Sequence, residues 1–361
     1  MEILNPTRIK VFGVGGGGSN AVNRMYLEGT EGVELFVVNT DVQHLASLAV
    51  PNKIQIGEKV TKGLGAGAKP EIGEQAALED VDKIREILRN TDMLFIACGL
   101  GGGTGTGAAP VIAETAKDMG ILTVAVVTKP FNFEGPKRMH VANEGLEKLK
   151  DVVDTYIVVN NQKLVEISEK NFSIKDAFKM VDDVLAKAVM GITNIVVTPA
   201  LINVDFADVK TVMEKGGLAL IGMGEGKGDG RKDYAVEQAI SSPLLEGNSI
   251  QGARRLLVTL WVSEDVPFRE VEETIGRIRE VAHEDALIIF GAMLEGDKDN
   301  FMRVAVVATD FENAQGFSQF KIVKKPEIKE PIKKVVPEST IEPVQPEIEE
   351  IPAYLRRKRK I

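Results

Sequence analysis

Two glycine-rich turns, Gly15 to Asn20 (GGGGSN) and Gly101 to Gly107 (GGGTGTG), each stand where an apolar run gives way to a helical pattern. Glycines without side-chain bulk let several backbone N–H groups converge on phosphate oxygens, and a strand-to-helix junction places them at a helix N-terminus, where the dipole favours anions. Two such junctions in one chain imply a polyphosphate gripped from two sides.

The pattern around the turns sets the architecture. From Arg8 to Asn160, apolar runs (RIKVFGV, ELFVVNT, KIQIG, MLFIAC, ILTVAVV and TYIVVN) alternate with amphipathic stretches. Strand, crossover helix, strand is the order of a mostly parallel sheet, and unbroken apolar strands imply burial on both faces. Ligands of such sheets bind at the carboxyl ends of the strands, where both turns lie. The expected fold is α/β: a Rossmann-like, mostly parallel nucleotide-binding domain over residues 1–173, a long connecting helix over 174–199, and a second, smaller α/β domain over 200–314. Ala177, Phe178, Val181, Leu185, Ala188, Val189 and Ile192 recur at spacings of three and four, so the helix should run from Ile174 to Val197, closed by its β-branched end and Pro199. In the second domain, Asp208 to Lys215 reads as a helix opened by its aspartate and a further helix surrounds Tyr234. Strands are expected at Leu218 to Met223, Arg255 to Val262, Ala286 to Leu294 and Met302 to Ala308.

After Phe317 prolines are scattered among Lys, Glu, Ile and Val, a texture that cannot form a packed core. Residues 315–348 read as a disordered linker and 349–361 as a docking peptide, in which Ile351, Tyr354 and Leu355 would share one face of a helix; a plain solvated charge run is the competing reading. From Lys321 onward there are 11 basic and 7 acidic residues, so the tail is positive on a chain of net charge −9. No basic stripe crosses the folded part, which argues against nucleic acid as a partner. The only thiol, Cys98, lies in an apolar run and reads as a buried hydrophobe in a reducing compartment. No apolar segment approaches the ~20 residues that span a bilayer. A cytoplasmic protein is expected.

Two chemistries compete for the first turn. Gly13, Gly15 and Gly18 fit G-x-G-x-x-G after a strand, and Asp41 follows the next strand, a pattern shared with NAD-dependent oxidoreductases. A dinucleotide fold, however, has no need for GGGTGTG at a later strand end. Walker A is absent and neither turn contains lysine, so phosphate charge must be met by backbone N–H groups, helix dipoles, a cation such as Mg²⁺ and Arg138.

With TKPFNFEGPKR (Thr128 to Arg138) and NVDFAD (Asn203 to Asp208), GGGTGTG makes the chain resemble the tubulin/FtsZ family of GTPases, from about Arg8 to Phe311 and again in the final peptide. The resemblance implies GTP and GDP as ligands, with Mg²⁺. It implies that Gly16, Gly17, Gly18, Ser19 and Asn20, with Gly103, Thr104 and Gly105, hold the phosphates. Glu134 and Arg138 would contact the ribose and nearby phosphate, and Asn161, Phe178 and Asp182 the guanine. Ser19 stands where the family more often has glycine; it keeps its N–H and adds a hydroxyl.

A carboxylate suits guanine, since it can accept from N1–H and the 2-amino group together, although Asp182 could equally be a solvent-facing helical residue and Phe178 a core one. Asp205 and Asp208 could polarise an attacking water with help from Asn203, or Asp208 could simply cap a helix. From Asp182 the helix carries the chain about 23 Å away before Asn203, at 1.5 Å per residue. The acids should therefore serve a neighbouring molecule's nucleotide, in a head-to-tail contact that gives open filaments.

The family implies filaments of the septal ring at midcell, tethered through Ile351, Tyr354, Leu355 and Arg356 to membrane-bound division proteins such as the actin-like FtsA. A non-hydrolysing nucleotide-dependent scaffold is a further alternative. His44, His140 and His283 are dispersed and read as structural or surface residues, Trp261 as part of a strand, and GMGEGKGDG (Gly222 to Gly230) as a mobile surface turn.

Overall fold

The computed structural model describes residues 7–166, 173–198, 200–241, 250–296 and 299–311. The linker and docking peptide expected from the sequence lie outside the described residues. The first half runs β1 (Ile9–Val14), α1 (Gly15–Leu27), β2 (Glu34–Asn39), α2 (Val42–Ser47), β3 (Asn52–Gln55), α3 (Glu58–Thr61), α4 (Pro70–Glu79), α5 (Val81–Leu88), β4 (Met93–Gly99), α6 (Thr104–Asp118), β5 (Leu122–Lys129), α7 (Pro136–Lys150), β6 (Thr155–Asn160) and α8 (Asn161–Glu166). Then come α9 (Ile174–Val197), α10 (Phe206–Met213), β7 (Gly217–Lys227), α11 (Arg231–Ile240), β8 (Ala253–Val262), α12 (Phe268–Val281), β9 (Leu287–Leu294) and β10 (Phe301–Phe311).

Strands β1 to β6 are parallel in the order β3-β2-β1-β4-β5-β6, the doubly wound arrangement. Alternate residues of each strand feed two separate apolar layers. Ile9, Val11, Met93 and Phe95 meet Val22 and Met25 of α1 and Leu185, Val189 and Ile192 of α9 on one face. Phe12, Val14, Leu94 and Ile96 meet Ala108, Ile112 and Leu146 on the other. Burial on both faces is what makes these strands apolar throughout, and Cys98 is fully enclosed in the second layer.

Strand β7 belongs to both halves. Gly217 to Ala219 pair in parallel with β6, and Leu220 to Lys227 pair antiparallel with β10, which in turn pairs with β8, followed by β9. Of the glycines expected to form a mobile turn, Gly222, Gly224 and Gly226 are therefore in a strand, and Gly228 and Gly230 lie in the turn that follows it. Added Cβ atoms at Gly222, Gly224 and Gly226 would lie 1.8, 2.0 and 2.0 Å from the carbonyl oxygens of Ala239, Ala235 and Arg231, so these glycines let α11 lie directly on the strand. Composition suggested mobility because close helix-on-strand contact and loop flexibility both select glycine. A second correction concerns α10, which is opened by Asp205, whose side chain accepts from the Asp208 N–H at 2.9 Å; Asp208 sits inside the first turn. The long helix α9 has the bounds its periodicity predicts, with Ser173 as N-cap.

Candidate functional site: two helix N-termini around one cleft

Strand β1 pairs with β4 in the register Val14↔Cys98, so the turns that follow both strands emerge side by side at the point where the strand order reverses. They touch: a Cβ on Gly15, whose φ is +72°, would lie 2.8 Å from the Gly105 nitrogen. Neither α1 nor α6 has a side-chain N-cap or an acidic residue in its first turn. The orphan N–H groups at two helix starts therefore face a shared cleft of about 480 Å³. Within the second turn, Thr106 Oγ1 accepts from the Gly101 N–H at 2.9 Å, and the Thr104 and Thr40 hydroxyls are 2.7 Å apart.

Of the residues expected to hold phosphate, Gly16, Gly17, Asn20, Gly103, Thr104 and Gly105 line the cleft. Gly18 and Ser19 are not on its wall. A Cβ on Gly18 would lie 1.9 Å from the Ala97 carbonyl oxygen, and one on Gly13 would lie 2.4 Å from the Gly18 carbonyl oxygen. These two glycines seat α1 against the sheet. Ser19 is fully buried and donates its hydroxyl to the Gly13 carbonyl at 3.0 Å, so that hydroxyl serves packing and adds nothing to the phosphate cradle.

Glu134 and Arg138 line the cleft as an ion pair at 2.9 Å, and Glu134 also accepts from the Phe131 N–H. At the far end Asn161, Phe178 and Asp182 converge. Asn161 is 5 % exposed, yet its Oδ1 has no hydrogen-bond partner, an arrangement that costs free energy until a donor arrives. Burial pushes the Asp182 carboxyl up to about 7, with Asp183 adding to the shift and Arg24 opposing it. Phe178 is no core residue: it is 43 % exposed and meets Phe131 edge-on, leaving a face open.

The cleft has a third wall that sequence reasoning missed. Gly65, Ala66, Gly67 and Ala68 line it, with φ of +87°, +59° and +59° at Gly65, Gly67 and Ala68. The alternation GLGAGA was its only signal. Asn39, Asp41 and His44 also line the cleft, which corrects the reading of His44 as structural or surface.

Asn203, Asp205 and Asp208 are elsewhere. All three are exposed and none lines the cleft. Asn203 Oδ1 accepts from the Ala200 N–H, and the adjoining Leu201 and Ile202 N–H groups bond the Ala292 carbonyl of β9, which fixes this segment to the second half of the molecule.

Residues 8–169 match the GTPase domain of the tubulin/FtsZ family, and residues 217–312 match the C-terminal domain of the FtsZ family. The chain is 64 % identical to the cell division protein FtsZ of Aquifex aeolicus over 364 residues, 99 % of either chain. It belongs to the FtsZ family. Another FtsZ relative, from Pseudomonas aeruginosa, is 52 % identical over 85 % of this chain and 78 % of its own. An empty FtsZ dimer of M. jannaschii superposes with a TM-score of 0.81 at 43 % identity, covering 93 % of this chain and 96 % of that one. CetZ1 of Haloferax volcanii, at 21 % identity, shares the fold, with a TM-score of 0.72.

Membership in a GTPase family implies binding of GTP and GDP. The oxidoreductase reading of the first turn finds no support in these relatives. Among the described residues no helix is long and apolar enough to cross a membrane.

Proposed function

We propose that this chain is a cell-division GTPase that polymerises head to tail, and that its nucleotide is hydrolysed only between two subunits. The observation that carries this reading is the separation of binding from chemistry. Phe178 and Asp182 line the cleft from the first turns of α9, while the acids follow its other end. The fifteen residue steps from Asp182 to Val197 span about 23 Å of unbroken helix. A subunit stacked on the cleft with its own α10 N-terminus supplies what the cleft lacks.

Within such a contact the cleft binds and orients GTP. Backbone N–H groups of Gly16, Gly17, Gly103, Thr104 and Gly105 hold the phosphates, Arg138 offsets their charge, and Asn161 and Asp182 accept from the guanine while Phe178 covers it. Asp208, exposed in the first turn of α10, takes the proton of the attacking water as its oxygen bonds the γ-phosphorus and the β–γ bridging bond breaks. Asp205 shapes the loop through its bond to the Asp208 N–H, and Asn203 orients the water. Among the described residues no three His, Cys, Asp or Glu side chains gather as a metal site. A Mg²⁺ brought in with the nucleotide would neutralise phosphate charge. The terminal peptide, through Ile351, Tyr354, Leu355 and Arg356, suits a docking role to membrane-bound division proteins such as FtsA, placing the filament at the midcell membrane.

The test is GTP turnover against protein concentration. Activity per molecule should rise from near zero above a threshold, and a turnover number constant at all concentrations refutes assembly-dependent catalysis. Mixing Thr104→Arg, defective in nucleotide binding, with Asp208→Ala should restore part of the lost hydrolysis. Absence of recovery in confirmed co-filaments refutes the shared site. If wild type assembles but never releases phosphate, the chain is a scaffold.

A further inference from the structure

His44 stands on the cleft wall, where its ring bridges two asparagines. Nδ1 lies 3.0 Å from Asn39 Nδ2, and Nε2 lies 3.0 Å from Asn20 Oδ1. The proton positions follow from the network. Asn39 is buried, and its Oδ1 accepts from the Thr40 N–H at 2.9 Å and the Asp41 N–H at 3.3 Å. Two backbone donors on that oxygen leave the Asn39 amide nitrogen as the group facing His44, and an amide nitrogen can only donate. Nδ1 must then accept, so the neutral ring carries its hydrogen on Nε2 and donates it to Asn20. The imidazole backbone is also tied down, since the His44 N–H donates to Asp41 Oδ1.

We propose that His44 is a positioning residue for nucleotide binding: by occupying Asn20 Oδ1 it turns the Asn20 amide so that both Nδ2 hydrogens are available to an acceptor on the bound nucleotide. Asn20 lies one turn into α1, beyond the phosphate-facing Gly16 and Gly17. Without the histidine the amide is free to rotate, and a donor or an acceptor would face the ligand with similar ease. The inference rests on the cleft being the nucleotide site.

The experiment measures the Kd of the full chain for GDP, below the assembly threshold, in wild type, His44→Ala, His44→Gln and His44→Asn. A glutamine amide nitrogen reaches the position of Nε2 and can still donate to Asn20, whereas asparagine mimics only the Nδ1 side. Alanine and asparagine should weaken GDP binding about 3- to 10-fold, the worth of one oriented hydrogen bond, and glutamine should restore it. KM for GTP should rise alike, with turnover at saturating GTP unchanged. In an Asn20→Ala background His44→Ala should cost nothing further.

Full affinity in folded His44→Ala, retention by His44→Asn, or an undiminished loss in the Asn20→Ala background overturns the proposal. Failure of wild type to bind GDP at all overturns the nucleotide site itself, a separate outcome.

Discussion

Asp182→Asn tests base recognition by exchanging one acceptor for a donor at constant size. On the proposed reading, an ionised Asp182 accepts from both guanine N1–H and the 2-amino group. Hydrogen bonds to a charged group contribute about 1.5 to 3 kcal/mol each. An asparagine keeps one neutral bond, worth about 1 kcal/mol, and turns the other contact into two opposed donors. A loss of about 3 kcal/mol, or roughly 100-fold in GDP affinity, follows. Xanthine keeps N1–H but replaces the 2-amino group by an oxygen, which pairs with the asparagine amide.

The variant should therefore bind XDP better than GDP, reversing the wild-type order. The assay is competition by GDP and XDP for a fluorescent nucleotide at pH 8, on protein below its assembly threshold. A variant that still binds GDP within threefold of wild type and gains nothing for XDP would refute the assignment of Asp182 as the base reader.

The raised Asp182 carboxyl gives a pH signature, since on the proposed reading nucleotide binds the ionised form. With a value of about 7 in the free protein, GDP affinity should fall about tenfold from pH 8 to pH 6, and calorimetry of Asp182→Asn should show that slope removed. The folding sign is opposite: the folded state holds this proton where the unfolded chain has lost it, so nucleotide-free protein should lose stability as pH rises from about 4 to about 7, read as a falling Tm. Gly222→Ala drives a methyl to 1.8 Å from the Ala239 carbonyl and should cost about 1 to 3 kcal/mol or more, whereas Gly276→Ala in α12 meets open space and should leave Tm unchanged or raised. Equal melting of the two would refute close packing of α11 on β7. Burial pushes the Cys98 thiol up to about 12, so a thiol reagent should label it only on unfolding, and fast native labelling at pH 8 counts against the enclosed layer.

Much of the site was legible because its elements are local. A strand-to-helix turn built of glycines points to a backbone anion site, and Ile174 to Val197 announces its own length through its spacing. Other positions were less legible because the same residue serves opposite ends. Gly18 sits inside the motif with no room for a Cβ beside the Ala97 carbonyl, and Ser19 turns its hydroxyl inward; nothing in GGGGSN separates a glycine that lines the cleft from one that packs on a strand. His44 is uninformative until β1, β2 and α2 bring Asn20 and Asn39 to either side of its ring.

By itself the sequence determined a parallel sheet buried on both faces, two glycine-rich helix starts, and a long helix parting Asp182 from Asp205 and Asp208, because periodicity and glycine placement act over a few residues. Only the tertiary structure decided which N–H groups meet in one cleft, that Asp182 is buried enough to shift its carboxyl, that Asn161 holds an unanswered acceptor, and that β7 joins the two halves in one hydrogen-bonded order. Those are properties of residues distant in the chain and close in space, set by strand order and register, and no local pattern encodes the distance between them.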